Sequence, residues 1–386
     1  MPPAKVFISA GESSGDLYAA ALLEALREQW PETEWFGCAG PRMQAGGVRA
    51  VVDSRSLSVV GLVEVVAHLP RIYGEFRKLI GAVKREKPAL AILTDSPDFH
   101  LRVAKRMRSL GVPTVYLVAP QAWAWRQGRV KQMRTTIGKL LCLFPFEESF
   151  FRSHGVNADY IGHPLARIIR PARSKADFVA RHKLDPGKPI VALCPGSRPG
   201  EIARHLPVVV EAVHQIAAKR PASFLLAAPL GFSEGAGGQF FRERISSSAI
   251  QVIEGETWDI LSYADVVLAA SGTVTMEAAL LGTPMVTFYR VTGLSWLMGR
   301  FLVRTPFFSM PNLIAGRALV PELMQNEMTA ERLSGWALRL LENEAERSEM
   351  QRGLAGIRER LASAEDPMIR AARIIREFVD EHEKKQ

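Results

Sequence analysis

The chain has 386 residues, of which 47% are hydrophobic and 23% charged, a globular composition whose length exceeds what one core fills and so predicts two domains of about 150–200 residues. Lys and Arg outnumber Asp and Glu 49 to 40, and the net charge of +9 at pH 7 points to an anionic partner: nucleic acid, a membrane surface or a phosphorylated substrate. The basic residues are dispersed and no helix-turn-helix, RNA-binding aromatic motif or zinc module occurs, which argues against nucleic acid; Cys38, Cys142 and Cys194 sit in apolar strand-like contexts without metal spacing and read as reduced core thiols of a cytosolic protein.

Met1 to Lys5 leads directly into Val6-Phe-Ile-Ser-Ala10, too short for a signal sequence, and no run of about 18 apolar residues follows, so a soluble or peripheral protein is expected. Short apolar runs alternate with helical patterns throughout, the signature of βαβ units and parallel sheets. The first half offers strands at Lys5–Ala10, Trp35–Ala39, Leu90–Asp95, Thr114–Val118 and Leu140–Phe144. The second offers Ile190–Pro195, Ser223–Ala228, Ile250–Ile253, Val266–Ala270 and Met285–Phe288. Between them, the Pro- and Arg-rich stretch from Gly162 to Lys188 reads as the linker, giving domains 1–168 and 169–365. The apolar stripe of the last helix, 366–386 (Ile369, Ala372, Ile375, Val379), predicts that it is carried back onto the first domain.

Several strand ends carry chemistry. Gly11-Glu-Ser-Ser14-Gly-Asp16 lacks both the dinucleotide and the P-loop spacing; it is either a loop with Asp16 as helix N-cap or a substrate-contacting loop. Val59 to Lys84 is unusually apolar. The part after Pro70 can be core, whereas Ser58 to Leu69 exceeds what one buried face needs and suggests a lipid- or membrane-facing patch, with Val63, Val66, Leu69, Ile72 and Phe76 supplying apolar area and Arg71, Arg77 and Lys78 beside them. If these residues are core, the similarly apolar Val291 to Val303 is the place to look. Leu90 to Asp95 empties into Asp95 and Asp98: Asp98 is placed to cap the next helix, while Asp95 is free to act as a general base. A D-x-x-D pair without a third ligand is a weak metal signal, and no metal is expected. Trp123 and Trp125 beside Arg126 suit sugar faces or phosphates, and His163 sits at the inferred domain edge.

Pro195-Gly196-Ser197-Arg198 and Ala270-Ser271-Gly272-Thr273 each follow an apolar strand and open a helix. Gly196 and Gly272 permit close backbone approach, Arg198 can fork onto a phosphate, and the hydroxyls of Ser271 and Thr273 can cap the helix. Two such turns in one domain predict a nucleotide diphosphate held between them, with the Glu277 carboxylate accepting the ribose hydroxyls.

Taken together, AGESSGD at Ala10–Asp16, AGPRMQAGG at Ala39–Gly47, DSPDF at Asp95–Phe99, AWAWRQGRV at Ala122–Val130, FPFE at Phe144–Glu147, IGHP at Ile161–Pro164, PGSRPGEI at Pro195–Ile202, ASGTVTMEAAL at Ala270–Leu280 and PNLIAGR at Pro311–Arg317 resemble the lipid-A-disaccharide synthase family over nearly the whole chain. The resemblance implies an α/β fold of two Rossmann-like domains with parallel sheets facing across a cleft (GT-B type). It implies an inverting, metal-independent glycosyltransferase that joins UDP-2,3-diacylglucosamine to 2,3-diacylglucosamine 1-phosphate, needs no cofactor beyond that donor, and works peripherally on the cytoplasmic face of a Gram-negative inner membrane. On this reading Asp95 and Arg198 are catalytic. Gly196, Ser197, Arg198, Ser271, Gly272, Thr273 and Glu277 hold the nucleotide. Gly11, Glu12, Ser14, Asp16, Asp98, Trp123, Arg126, His163 and Asn312 are candidate substrate contacts. Departures are small-for-small, Ser13 and Ala119 standing where the family has Thr or Ala and Ser. The rival readings are a UDP-sugar 2-epimerase of similar fold and a non-catalytic lipid- or nucleotide-binding module.

Overall fold

The structure is a computed structural model that describes residues 2–57, 62–124, 128–197, 199–229, 232, 245, 249–293, 296 and 305–384; the side chains of 13, 62–68 and 199 lie outside the described set. The chain forms two compact units, Met1–Arg167 with Ala362–Gln386, and Ile168–Leu361.

In the first unit, β1 (Lys5–Ala10), β2 (Glu34–Ala39), β3 (Arg49–Asp53), β4 (Leu90–Thr94), β5 (Thr114–Leu117), β6 (Lys139–Cys142) and β7 (Ala158–Tyr160) make one sheet in the order β3-β2-β1-β4-β5-β6-β7. Every pairing is parallel. The central strands read as unbroken apolar runs because helices cover both faces. On one face Phe7, Phe36, Ala91, Leu93, Tyr116 and Leu140 pack against helices Leu62–Glu86, Pro97–Ser109 and Gly128–Thr136. Helices Ser13–Gln29 and Pro367–Glu383 pack against each other, the latter capped by Asp366 and burying Ala371, Ala372 and Ile375.

The second unit repeats the scheme with β8 (Ile190–Cys194), β9 (Ser223–Ala228), β10 (Ile250–Glu254), β11 (Val266–Ala270), β12 (Met285–Tyr289) and β13 (Glu322–Met324), all parallel, in the order β10-β9-β8-β11-β12-β13. The predicted strands are present with ends shifted by a residue or two, and the three that sequence reading passed over, β3, β7 and β13, all lie at sheet edges. Short edge strands such as Arg49–Asp53 carry polar residues on their open side and lack the apolar run that flags a central strand. The helix through the apolar stretch, Leu62–Glu86 among the described residues, runs through Pro70 rather than beginning after it.

Candidate active site

In an open parallel sheet, ligands bind outside the carboxyl ends of the strands where the strand order reverses. In the first unit that reversal lies between β1 and β4, so Gly11 and Glu12 after β1 face Asp95 after β4. The Gly11 N–H donates to Asp95 Oδ1 at 2.8 Å and the Glu12 N–H to Oδ2 at 3.0 Å. Gly15 must be glycine here, because a Cβ would lie 1.5 Å from Asp95 Oδ2. Burial, and then the nearby Glu12 charge, push the Asp95 carboxyl up to about 7 against the pull of those two N–H bonds. A base poised there can take a proton at neutral pH.

The backbone at this point is strained. Asp95 has φ 55° and Ser96 φ 38°, and on the neighbouring strand end Val118 has φ 66°. Left-handed backbone at non-glycine residues costs about 1–3 kcal/mol each and gathers at functional sites. Holding it is a buried network that sequence reading missed. Tyr116 Oη donates to the Asp95 carbonyl at 2.5 Å, and His100 Nδ1 lies 2.9 Å from the same oxygen. A carbonyl only accepts, so Nδ1 carries the proton and Nε2, 2.7 Å from Ser9 Oγ, accepts from that hydroxyl. Burial lowers the His100 pKa to about 4, which fits a neutral ring. The one available sequence signal was a histidine a single turn past an acidic strand end.

In the second unit the strand order reverses between β8 and β11, so the two turns singled out in the sequence are neighbours, one after each strand. Gly196 has φ 122°, and a Cβ there would meet Glu201 Oε2 at 2.7 Å. The Ser197 N–H, expected to face a ligand, donates instead to Glu201 Oε2 at 3.2 Å, while Tyr289 Oη donates to Glu201 Oε1 at 2.8 Å. His205 braces the same turn: Nδ1 donates to the Pro195 carbonyl at 2.7 Å, which leaves Nε2 to accept the Arg290 N–H at 3.0 Å. Arg198 lies outside the described residues.

At the other turn Gly272, not a hydroxyl, is the N-cap, with extended backbone and no side-chain cap bond. The expected capping by Ser271 and Thr273 is absent because Ser271 Oγ reaches the Phe308 carbonyl at 3.3 Å and Thr273 is already the first helical residue. Neither Gly272 nor the Ser271 hydroxyl caps the start of helix Thr273–Leu281, and Gly272 and Thr273 are exposed there, which suits an incoming anion. Glu277 is half-buried one turn on, close enough to β8 that, after burial, its charge helps push the Cys194 thiol up to about 12.

The remaining candidates divide. Glu12 and Ser14 stay half-buried at the helix start beside Asp95. Asp16 is buried inside the helix, not at its N-cap, and its carboxylate accepts the Arg42 and Met43 N–H groups at 3.0 and 3.1 Å, capping the helix Pro41–Ala45. Asp98 does not cap its helix, since Ser96 holds that position; it is exposed and paired with Arg129. Trp123 donates to the buried Glu147 at 3.1 Å and packs edge-on against Phe146, a structural use of the ring. Arg126 falls outside the described residues. His163 is buried against Phe144 and Tyr18, its Nδ1 without a hydrogen-bond partner among the described residues and its pKa lowered by burial to about 4. Asn312 is 1% exposed and spends its whole amide internally: Oδ1 accepts Leu319 and Val320 N–H, and Nδ2 donates to the Val320 carbonyl and Glu322. That leaves it nothing to offer a substrate.

Along helix Leu62–Glu86, Val63 and Val66 lie outside the described side chains. Leu69 is 44% exposed, and Ile72 and Phe76 are half-buried, Phe76 packing against Phe99 and the core. Tyr73, absent from the predicted set, is 62% exposed one turn beyond Leu69. No helix among the described residues is long and apolar enough to cross a membrane.

Comparison with known proteins identifies the family. The family model for lipid-A-disaccharide synthetase matches residues 6–373. The lipid-A-disaccharide synthase of Solibacter usitatus is 58% identical over 376 residues, covering 97% of this chain and 98% of the relative. That of Koribacter versatilis is 43% identical, covering 96% and 97%. Among solved structures, the UDP-GlcNAc 2-epimerase of Neisseria meningitidis has a TM-score of 0.62 at 13% identity, over 98% of this chain and 100% of that one. The glycotransferase of kitacinnamycin has 0.65 at 16%, over 98% and 99%. At such identities the structures share the fold alone, two parallel-sheet α/β domains of the GT-B kind, and the epimerase likeness goes no further. Whole-length sequence agreement is the stronger finding, and by it the chain belongs to the lipid-A-disaccharide synthase family, glycosyltransferases of lipid A biosynthesis.

Proposed function

We propose that this glycosyltransferase transfers the sugar of UDP-2,3-diacylglucosamine to 2,3-diacylglucosamine 1-phosphate, with inversion and without a metal. Asp95 takes the proton of the attacking acceptor hydroxyl; the hydroxyl oxygen bonds to the anomeric carbon as the bond from that carbon to the diphosphate oxygen breaks and UDP leaves. The observation that carries this reading is Asp95 itself, a carboxylate at the reversal point of the first sheet, held in strained backbone and shifted to about 7. In the second unit the exposed helix start at Gly272–Thr273 and Arg198 receive the diphosphate, and Glu277 the ribose. Gly196 serves that site through close packing, whereas the Ser197 N–H is engaged with Glu201. Domain roles follow: acceptor and lipid to the first unit, nucleotide to the second.

Acylated substrates are met at a bilayer, and we assign the contact to the helix Leu62–Glu86. Leu69 and Tyr73 are exposed on it, with Arg71 and Arg77 exposed beside them, and the adjoining helices add exposed Arg102, Lys105, Arg106, Lys131 and Arg134. Each cation near an anionic surface contributes about 1 kcal/mol. Mass spectrometry of the products formed from the two monosaccharide lipids, with and without chelator, tests the whole reading. A disaccharide lipid and UDP in both arms is the expected outcome. Turnover of the donor without an acceptor would favour an epimerase, and loss of product with chelator would contradict the metal-free step.

A further inference from the structure

We propose that His100 and Tyr116 are positioning residues for this reaction, holding the Asp95 backbone in the left-handed conformation that turns its carboxylate onto the loop after β1. The proposal rests on Asp95 being the base. Two consecutive non-glycine residues with φ of 55° and 38° persist only where the surroundings over-determine them. Here the over-determination converges on one atom. The Asp95 carbonyl accepts from Tyr116 Oη at 2.5 Å and from His100 Nδ1 at 2.9 Å, and both donors are fully buried.

The donors come from different elements. Tyr116 stands on β5 and His100 on the helix after β4, while Ser9 on β1 donates to His100 Nε2 and thereby fixes its tautomer. The imidazole is wedged edge-on between Phe99 at 5.3 Å and Tyr116 at 6.5 Å. The Phe99 and His100 N–H groups both reach the Ser96 carbonyl at 2.9 Å, closing the turn from below. Elements on both sides of β4 thus clamp the peptide that carries the base. Neither side chain shares the carboxylate's proton: His100 Nδ1 is 3.8 Å from Asp95 Oδ1 and its hydrogen already serves the carbonyl. They act through the backbone, so their removal should misplace Asp95 rather than disarm it.

The test uses the intact chain and four variants, Tyr116→Phe, His100→Ala, His100→Asn and Asp95→Asn, with kcat, KM, UDP affinity and the pH profile as readouts. The charged groups that bear on that profile are Glu12 on the loop after β1 and the Asp98–Arg129 pair on the two helices beside Tyr116. Tyr116→Phe and His100→Ala should lower kcat about 10- to 100-fold, as a misplacement on the order of 1 Å does. UDP affinity and donor KM should hold. The acid limb should move to lower pH, because a loosened carboxylate regains water and its charged form is no longer penalised. His100→Asn should recover most of the rate, since its amide nitrogen can still donate to the Asp95 carbonyl.

Wild-type kcat and an unmoved acid limb in Tyr116→Phe and His100→Ala, beside an inactive Asp95→Asn, would overturn the positioning role and leave the base intact. Equal loss of kcat and UDP affinity would make the pair merely structural and overturn it too. Retention of more than about a tenth of the rate by Asp95→Asn would sink the base assignment itself. Should His100→Ala fail to fold, the isosteric Tyr116→Phe decides alone.

Discussion

Replacing Asp95 by Asn separates what this residue does for catalysis from what it costs the fold. In the native chain the carboxyl keeps its proton up to about pH 7, whereas in the unfolded chain it ionises near the ordinary 3.8. The native state therefore binds more protons throughout that window, and stability falls as pH rises through it. Between about pH 5 and about pH 7 the loss is about 1.4 kcal/mol per pH unit, about 2–3 kcal/mol in all, after which the native carboxyl ionises as well and the loss levels off. Asparagine cannot titrate. It also forfeits one acceptor, since its amide nitrogen only donates and leaves either the Gly11 or the Glu12 N–H unpaired, a penalty of about 1–3 kcal/mol that is the same at either pH. Comparing pH 5 with pH 8 removes that constant: relative to the parent, the variant should gain about 2–3 kcal/mol. Hydrogen exchange of the β1 and β4 amides, read at both pH values, reports opening of this unit specifically. Turnover should drop at least about a hundredfold while UDP binding persists. A stability difference between variant and parent that is identical at the two pH values would refute the claim that Asp95 is protonated in the native state near neutrality.

Gly15→Ala, which in an ordinary helix would stabilise by about 1 kcal/mol, should here push the Asp95 carboxylate aside and lower kcat without weakening UDP binding; an active, stabilised Gly15→Ala would contradict the packing described. Asn312→Ala strands the Leu319 and Val320 N–H groups in the interior and should lower stability by about 2–4 kcal/mol, seen as a fall in the urea midpoint, with KM unchanged in the protein that remains folded. Leu69→Ser combined with Tyr73→Ser should release the protein from anionic vesicles in co-sedimentation, with UDP binding intact as the folding control. Full vesicle retention would direct attention to the stretch from Val291 to Val303.

Some of this was legible in the sequence. The central strands β1, β4, β8 and β11 declared themselves because a strand buried on both faces must be apolar at every position, and nothing outside the strand has to be known to see it. The strand-to-helix turns at Gly196 and Gly272 were visible for a similar reason: a glycine and small hydroxyl residues between a strand and a helix are a local requirement. Family motifs spread over the whole chain fixed the activity. What local pattern could not supply was how each polar group is spent. Asp16, Ser197 and Asn312 all look like ligand-facing residues in a one-dimensional reading. In the folded chain all three are engaged internally, the Ser197 N–H by Glu201 four residues on, Asp16 by residues 42 and 43, and Asn312 by Leu319, Val320 and Glu322.

Conversely, the strain at Asp95 and the clamp that maintains it join Ser9, His100 and Tyr116 across 91 and 21 residues of sequence. Hydrogen bonds between distant segments depend on which strands lie side by side, and the order β3-β2-β1-β4-β5 that makes β1 and β5 the two neighbours of β4 is a property of the assembled sheet. Tyr73 and Phe76 make the same point on the surface. Three residues apart on one helix, equally aromatic and stacked on each other, they differ in that Phe76 also packs edge-on against Phe99 of the neighbouring helix while Tyr73 is exposed. The sequence alone determined which chemistry the chain carries and which strands build its sheets; the tertiary structure decided which polar groups remain free to perform that chemistry, because a hydrogen bond is satisfied by whatever the fold brings within about 3 Å.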